Sequence, residues 1–378
     1  MPHSPRIAIV GAGPGGLTLA RILHLHGIEA TVFEQEEHSA VRPQGGTLDL
    51  HAETGQFALR TAGLESEFKR VARYEDQGFK LYNKQGALQY EESETGGDRP
   101  EVDRAHLRQI LLDALPSSTI RWGHSLRAVI PNEDGACELQ FQSGACQSFD
   151  LVVGADGAWS RVRPLLSQVK PLYTGVAFVE LDIEDADRKA LEIASLVGHG
   201  KIFALGDSKG LIAQRNAGAH IYIYAGLRTP EDWATTGGLD LSSAQAAKAS
   251  LATQFEGWSD SLLQLIHQSS ERVVPRTLYA LPTGHRWQNR PGITLLGDAA
   301  HLMSPFSGEG ANLAMRDAAD LALALANTSD WHPAIAHYED TMLTRAAVAA
   351  AGAWNGLQEA FSEQGLSHVL QQMQSHHV

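Results

Sequence analysis

Residues 6–34 read RIAIVGAGPGGLTLARILHLHGIEATVFE, and no other segment limits the possible folds as sharply. An apolar run, RIAIV, enters a turn with glycines at 11, 13 and 16. Leu17, Leu19, Ala20 and Leu23 then follow at helical spacing, and EATVFE returns to strand composition. The reading is a βαβ unit, which places a parallel sheet at the heart of the fold. In such a unit Gly11 makes the tight turn, Gly13 lets backbone approach a pyrophosphate, and Gly16 lets helix and strand pack closely. The helix start supplies free amides and the positive end of its dipole. Glu34 closes the second strand about 20 residues on, where a carboxylate can accept from ribose hydroxyls. That carboxylate would repel a 2′-phosphate, so the turn suits FAD or NAD and disfavours NADP.

Further on, DRAHLRQILLDAL (103–115) puts Leu107, Ile110, Leu111 and Leu115 on one helix face, with Asp103 as a candidate N-cap. TIRW, SLRAVI, CELQF and FDLVVGADG read as short strands of a meander feeding back into the sheet. From about residue 171 the pattern changes. GVAFVELDI, GKIFAL, GLIAQRN and HIYIYAGLR alternate apolar with polar, as antiparallel strands with one covered face do. ITLLGD then restores the buried-strand pattern. The expected fold is therefore α/β with mixed α+β character: a Rossmann-like domain of residues 1–72, 102–168 and 284–330, and an antiparallel-sheet domain of 73–101 and 169–283. A C-terminal helical tail over 331–378, as one long helix or two packed ones, completes it.

Composition narrows the partners. A formal charge of -14 lacks the basic footprint that nucleic acid or an anionic membrane surface needs, so a small molecule is the expected partner. No apolar run is long enough to cross a membrane, since Arg316, Asp317 and Asp320 interrupt the apolar stretch from Leu313. The two cysteines, Cys137 and Cys146, lie in a hairpin-like stretch and suggest no disulfide framework; a reducing cytoplasm and a monomer are expected. No metal-ligand spacing and no Ser-His-Asp, HExxH or CxxC constellation is present.

Two later segments favour FAD over NAD. DLVVGADGAWSRVRPLL (150–166) places Asp156 after a buried strand, and LLGDAAHLMSPFSGEGAN places Asp298 after another, ahead of a glycine-rich loop. A nicotinamide dehydrogenase has no use for this late loop, whereas a flavin extends well past the first turn. With GAGPGG, these segments resemble, in order, the FAD-dependent aromatic-hydroxylase family of single-component monooxygenases. GGTLDLH (45–51), RPEVDRAHLRQILL (99–112), TPEDW (229–233) and GDAAHLMSPFSGEGAN are similar to the Tet(X)-type tetracycline-inactivating monooxygenases.

The resemblance implies roles for particular residues. Asp298 would bind ribityl hydroxyls, doubling as a helix N-cap, and Gly308, Glu309, Gly310 and Ala311 would present amides to the flavin pyrimidine edge. Asp49 and Arg104 match FAD-contact positions, Arg108 shares the Arg104 face one turn on, and Arg42 matches a position assigned to NADPH. His301 reads as structural. The chemistry implied is flavin-borne: NADPH reduces the flavin, O2 adds at C4a, and the hydroperoxide delivers oxygen to an electron-rich carbon, with no catalytic side chain of the protein required. Pro305 and Phe306 would face the reactive side. Glu180, Lys201 and Tyr222 stand where Tet(X)-type enzymes present Gln, Arg and His to tetracycline, and these departures leave room for another phenol or polyketide. A non-catalytic flavin- and drug-binding protein is the alternative class; a halogenase would need a WxWxIP segment that is absent.

Overall fold

The computed structural model describes residues 5–39, 41, 45–92, 97–132 and 135–375. Its first sheet is parallel, in the order Ile293–Leu295, Leu151–Gly154, Ile7–Val10, Ala30–Phe33 and Ile120–Arg121. Ile7–Val10 and Leu151–Gly154 are buried along their whole length, as strands covered on both faces must be. The segment TIRW therefore joins the parallel sheet as its edge strand, and only Leu126–Pro131, Cys137–Phe141 and Cys146–Phe149 form the meander. In that hairpin Cys137 is buried and Cys146 is exposed. Gly11, Glu34, Asp156 and Gly297 all follow the carboxyl ends of these strands, so the sheet delivers the sequence-picked loops to one edge.

Helix Pro14–Leu25 starts with proline in its first turn and buries Leu17, Leu19, Ile22 and Leu23 completely. Its glycines are demanded by contact. A Cβ on Gly16 would lie 2.1 Å from the Gly11 carbonyl oxygen, and one on Gly15 would lie 2.7 Å from Leu296 Cδ1 and 3.0 Å from the Ala314 oxygen. The helix is thus wedged between the first strand and the late helix Glu309–Ala326. Helix Arg104–Asp113 buries Leu107 and Leu111, and Asp103 stands at its N-cap position as expected but makes no side-chain capping hydrogen bond. Its Oδ1 instead accepts from Arg73 Nη1 at 2.6 Å and Asn216 Nδ2 at 3.3 Å, joining the helix start to the second sheet.

That second sheet has seven strands, in the order Val274–Ala280, Leu172–Ile183, Ile221–Arg228, Lys209–Arg215, Gly200–Gly206, Gly78–Asn83 and Leu88–Glu92. Pairing is antiparallel except between Gly200–Gly206 and Gly78–Asn83, which run parallel. One face, including Val179, Leu181, Ile202, Ala213 and Ile223, packs with Leu251, Leu262 and Ile266 of the helices Ala244–Thr253 and Asp260–His267. The other face is split. Phe178, Phe203 and Ile212 pack with Phe361 and Phe306, while Glu180, Lys201, Gln214 and Tyr222, two residues along each strand, make its polar half.

The tail forms two helices, Trp331–Ala360 and Gly365–Ser375. Phe361 between them is fully buried, with its ring 6.0 Å from Phe178 and 5.5 Å from Phe306, so it pins the tail, the second sheet and the glycine loop together. Phe361→Ala should cost roughly 3–5 kcal/mol of unfolding free energy, read from urea denaturation.

Candidate cofactor and substrate site

The early turn has the shape its glycines foretell. Gly11 holds a φ of +108°, and a Cβ there would meet the Ala155 oxygen at 2.3 Å. A Cβ on Gly13, by contrast, would meet nothing within 4 Å, so the turn opens on unfilled space in front of the helix N-terminus. Glu34 is buried at the rim, where its Oε2 accepts from the Ala12 amide at 2.7 Å and its Oε1 from the Glu36 amide at 3.0 Å. Each carboxylate oxygen keeps a further lone pair for a ribose hydroxyl. Arg108 stands behind the turn as an internal brace: its guanidinium bonds Glu36 Oε2 at 2.8 Å, the Ser39 carbonyl at 3.0 Å and the Ala12 carbonyl at 3.4 Å. It is buried among these protein acceptors, which tie the turn to the loop after Glu34. Arg104, one turn earlier, is exposed. Arg42 lies outside the described residues.

The two later loops are tied to each other. Arg163, 3% exposed, donates to the Ala158 carbonyl at 2.6 Å and the Ala299 carbonyl at 3.1 Å, clamping the Asp156 loop to the Asp298 loop. Asp317, wholly buried, accepts from the Gly297 amide at 3.1 Å, His301 Nε2 at 2.6 Å and Arg345 Nη2 at 2.9 Å. Burial opposes charge on Asp317, but His301 and Arg345 outweigh it and hold its pKa below the ordinary range. His301 is thereby structural. The N-cap of helix Asp298–His301 is Gly297, not Asp298, and no side chain caps it. The Asp298 carboxylate makes no hydrogen bond among the described residues; the residue is exposed, but the protein packed around the carboxyl group desolvates it and pushes its pKa up. Asp156 Oδ1 is likewise buried without a partner among the described residues.

The glycine loop meets the GGTLDLH strand at the head of helix Glu309–Ala326. Gly308 caps the helix with a φ of +67°, and a Cβ on it would lie 3.3 Å from Asp49 Oδ1. The first-turn amides, Gly310 and Ala311 among them, have no intrahelical acceptor. Asn312, fully buried, holds the two segments together: its Oδ1 accepts from the His51 amide at 3.0 Å and the Gly55 amide at 3.2 Å, and its Nδ2 donates to the Asp49 carbonyl at 2.8 Å. Asn312 escaped the sequence reading, although it is the next letter of the GEGAN motif.

Facing these loops is the split face of the second sheet. Phe306 lies 6.3 Å from Phe178 and 6.2 Å from Phe203, ring to ring, with Pro305 exposed beside it. A Cβ on Gly45 would touch the Tyr222 ring at 2.9 Å, and one on Gly46 the Tyr224 hydroxyl at 2.9 Å, so both tyrosines lie under the GGTLDLH segment. Tyr222 also stacks on His220 at 4.5 Å. Glu180 is not an unpaired recognition group: Arg272 reaches its Oε2 at 3.0 Å and Arg276 its Oε1 at 3.2 Å. Lys201 is half-buried, and its ammonium makes no hydrogen bond or ion pair among the described residues; it lowers the pKa of Asp49 from a distance. Glu101, 3% exposed, is pushed up to about 7 by burial despite Lys201 nearby.

An open turn at Gly13, an unspent Asp298, an orphaned Asp156 oxygen and a second amide-bearing helix start fit a ligand with a phosphate end, a hydroxylated middle and a ring. FAD has that make-up. The FAD binding domain family matches residues 5–347. The chain belongs to this family. Monooxygenase penA of Penicillium thymicola is 30% identical, the alignment covering 96% of this chain and 97% of that protein. The 3-amino-4-hydroxybenzoate 2-monooxygenase PtnB3 of Streptomyces platensis is also 30% identical, over 91% and 85%. These relatives make the chain an FAD-dependent monooxygenase by family. In fold it matches Klebsiella pneumoniae HpxO complexed with FAD and uric acid, with a TM-score of 0.80 at 22% identity over 98% and 93% of the chains. The tetracycline destructase Tet(55) shares the fold too, with a TM-score of 0.71 at 22% identity over 94% and 89%.

Asp298 and Asp317 should separate binding from folding. Asp298→Ala should weaken FAD binding at least about tenfold, on the scale of a charged hydrogen bond, while the apoprotein melts as before. Asp317→Ala should lower apoprotein stability by roughly 3–5 kcal/mol, because it strands the buried His301 and the Gly297 amide and removes one of the two carboxylates on Arg345. Flavin fluorescence titration and thermal melts read the two effects.

Proposed function

We propose that this monooxygenase uses NADPH and O2 to hydroxylate a planar, electron-rich aromatic that carries an acidic oxygen, with tetracycline-like polycycles as the narrower version. The carrying observation is the Lys201 ammonium, without a hydrogen bond or ion pair among the described residues, on the polar half of a face whose other half is Phe178, Phe203 and Phe306. An aromatic wall beside a free cation suits a ring bearing a phenolate, enolate or carboxylate. Relatives and fold neighbours named for hydroxybenzoate and tetracycline substrates support the same class. Glu180 favours the phenolic version in another way, since Arg272 and Arg276 compensate its charge and so reduce its repulsion of an anionic ring substituent.

In this reading residues 1–72, 102–168 and 284–330 hold FAD and residues 73–101 and 169–283 hold substrate, with 331–378 bracing both. Gly11, Gly13, Gly16, Glu34 and Asp156 take the adenine half, and Asp298, Asp49, Arg104 and Gly308 to Ala311 the flavin half. When bound, FAD supplies the oxygenating chemistry. The protein's own part is to exclude water through the Phe306 cluster, to hold the substrate's anionic oxygen with Lys201, and to flank it with the Tyr222 and Tyr224 hydroxyls. NADPH dependence rests on the resemblance at Arg42.

The test is NADPH oxidation by the FAD-loaded protein, with hydroxybenzoates and tetracyclines offered separately. Stimulated oxidation and a product heavier by one oxygen atom are expected; their absence with every aromatic acid, phenol and tetracycline tried would overturn the reading. Lys201→Met should raise KM about tenfold or more, as loss of a charged hydrogen bond does, with the flavin spectrum unchanged.

A further inference from the structure

His51 lies between two carboxylates. Its Nε2 is 3.4 Å from Asp49 Oδ2, and its Nδ1 is 3.3 Å from Glu309 Oε1. A neutral imidazole has one N–H, so a ring with a carboxylate oxygen at each nitrogen is satisfied only when both are protonated. The side chain is 12% exposed, and its backbone amide is fixed by Asn312. These carboxylates flank the head of helix Glu309–Ala326: Glu309 is its first residue, and Asp49 lies against Gly308. Two uncompensated negative charges there would cancel the positive end of the helix dipole, the feature that suits this terminus to an anionic ring. Asp298 adds a third carboxylate, 3.9 Å from the Cβ position of Gly310. Lys201, also close enough to act on Asp49, is shared with the buried Glu101.

We propose that His51, as an imidazolium between Asp49 and Glu309, is a positioning residue that keeps this helix terminus electropositive and so biases the site toward reduced, anionic flavin over oxidised flavin. The inference rests on the placement of the flavin ring at Gly308 to Ala311 proposed above. Burial alone would lower the His51 pKa, but Asp49 and Glu309 outweigh it and push it up to about 9. Because the folded value lies above the ordinary one of about 6.5, the imidazolium's contribution is complete below that ordinary value. It is lost as pH rises through about 9.

The experiment compares FAD-loaded wild type with His51→Gln and the charge-retaining His51→Lys by spectroelectrochemical titration at pH 7 and pH 10. At pH 7, His51→Gln should lower the affinity for reduced relative to oxidised FAD about tenfold, the scale of one partly screened charge at close range. That is a fall in midpoint potential of about 30 mV for a two-electron couple. His51→Lys should recover part of the shift, and at pH 10 wild type and His51→Gln should converge. Nitrogen NMR of the apoprotein should show the imidazole doubly protonated at neutral pH. An unchanged potential in FAD-replete His51→Gln, or an imidazole titrating near the ordinary histidine value, overturns the proposal alone. Failure of wild type to bind FAD overturns the cofactor placement with it. If His51→Gln does not fold, the pH dependence of the wild-type potential decides: a steeper fall toward pH 9 supports the proposal and its absence overturns it.

Discussion

The Asp317 carboxylate is the interaction on which the late half of the site depends. It has no exposed surface, and it satisfies the Gly297 amide, His301 and Arg345 at once. A buried charge is tolerated only when paired and hydrogen-bonded, so the loop ahead of Asp298 has one low-energy arrangement while this network stands. Asn312, five residues earlier on the same helix, does the equivalent for the GGTLDLH segment. One helix, wedged against the first helix through Gly15, therefore fixes two loops from distant parts of the chain.

This arrangement explains why the later motif resembles a second phosphate loop without repeating the first. The early turn is defined by what cannot fit: a side chain at Gly11 or Gly16 would strike backbone at 2.3 Å or 2.1 Å. The late loop is defined by polar side chains the protein leaves unspent, Asp298 and Asp156 Oδ1, beside others that it fully uses, Asp317 and Arg163. Steric exclusion makes room for phosphate, and unspent acceptors invite hydroxyls.

The same distinction governs what could be read in advance. Glycine spacing and strand periodicity are local, so the parallel sheet, the antiparallel sheet and the open cofactor turn were legible from residues 6–34 and the alternating segments alone. Networks were not. Arg316, Asp317 and Asp320 stood out as charges interrupting an apolar helix, and the sequence could use them only against a membrane span. Asp317 and Asp320 meet Arg345 only because the tail folds back, and Asp317 meets His301 only because the Asp298 loop packs on its helix. Arg108 shared a face with Arg104 as helical spacing requires, yet Trp122 and Glu36, from another part of the chain, turned it inward. Asp103 had the identity of a cap, and Arg73 drew its side chain away.

The substrate side follows from the sheet's two-residue period. Because Phe178 and Glu180, Phe203 and Lys201, and Tyr224 and Tyr222 alternate on single strands, one face must carry both an aromatic wall and a polar edge. Moving from one to the other takes about 7 Å along a strand, close to the span of a substituted aromatic ring. Glu180 is neutralised by two arginines and Glu101 is buried at a pKa of about 7, and Lys201 makes no direct ion pair among the described residues although the chain as a whole is acidic at -14. Long-range repulsion from so acidic a protein disfavours anions in bulk, so in the proposed reading short-range, desolvated contact with Lys201 selects them. In that reading, discrimination among aromatic substrates depends on where the acidic oxygen sits relative to the ring.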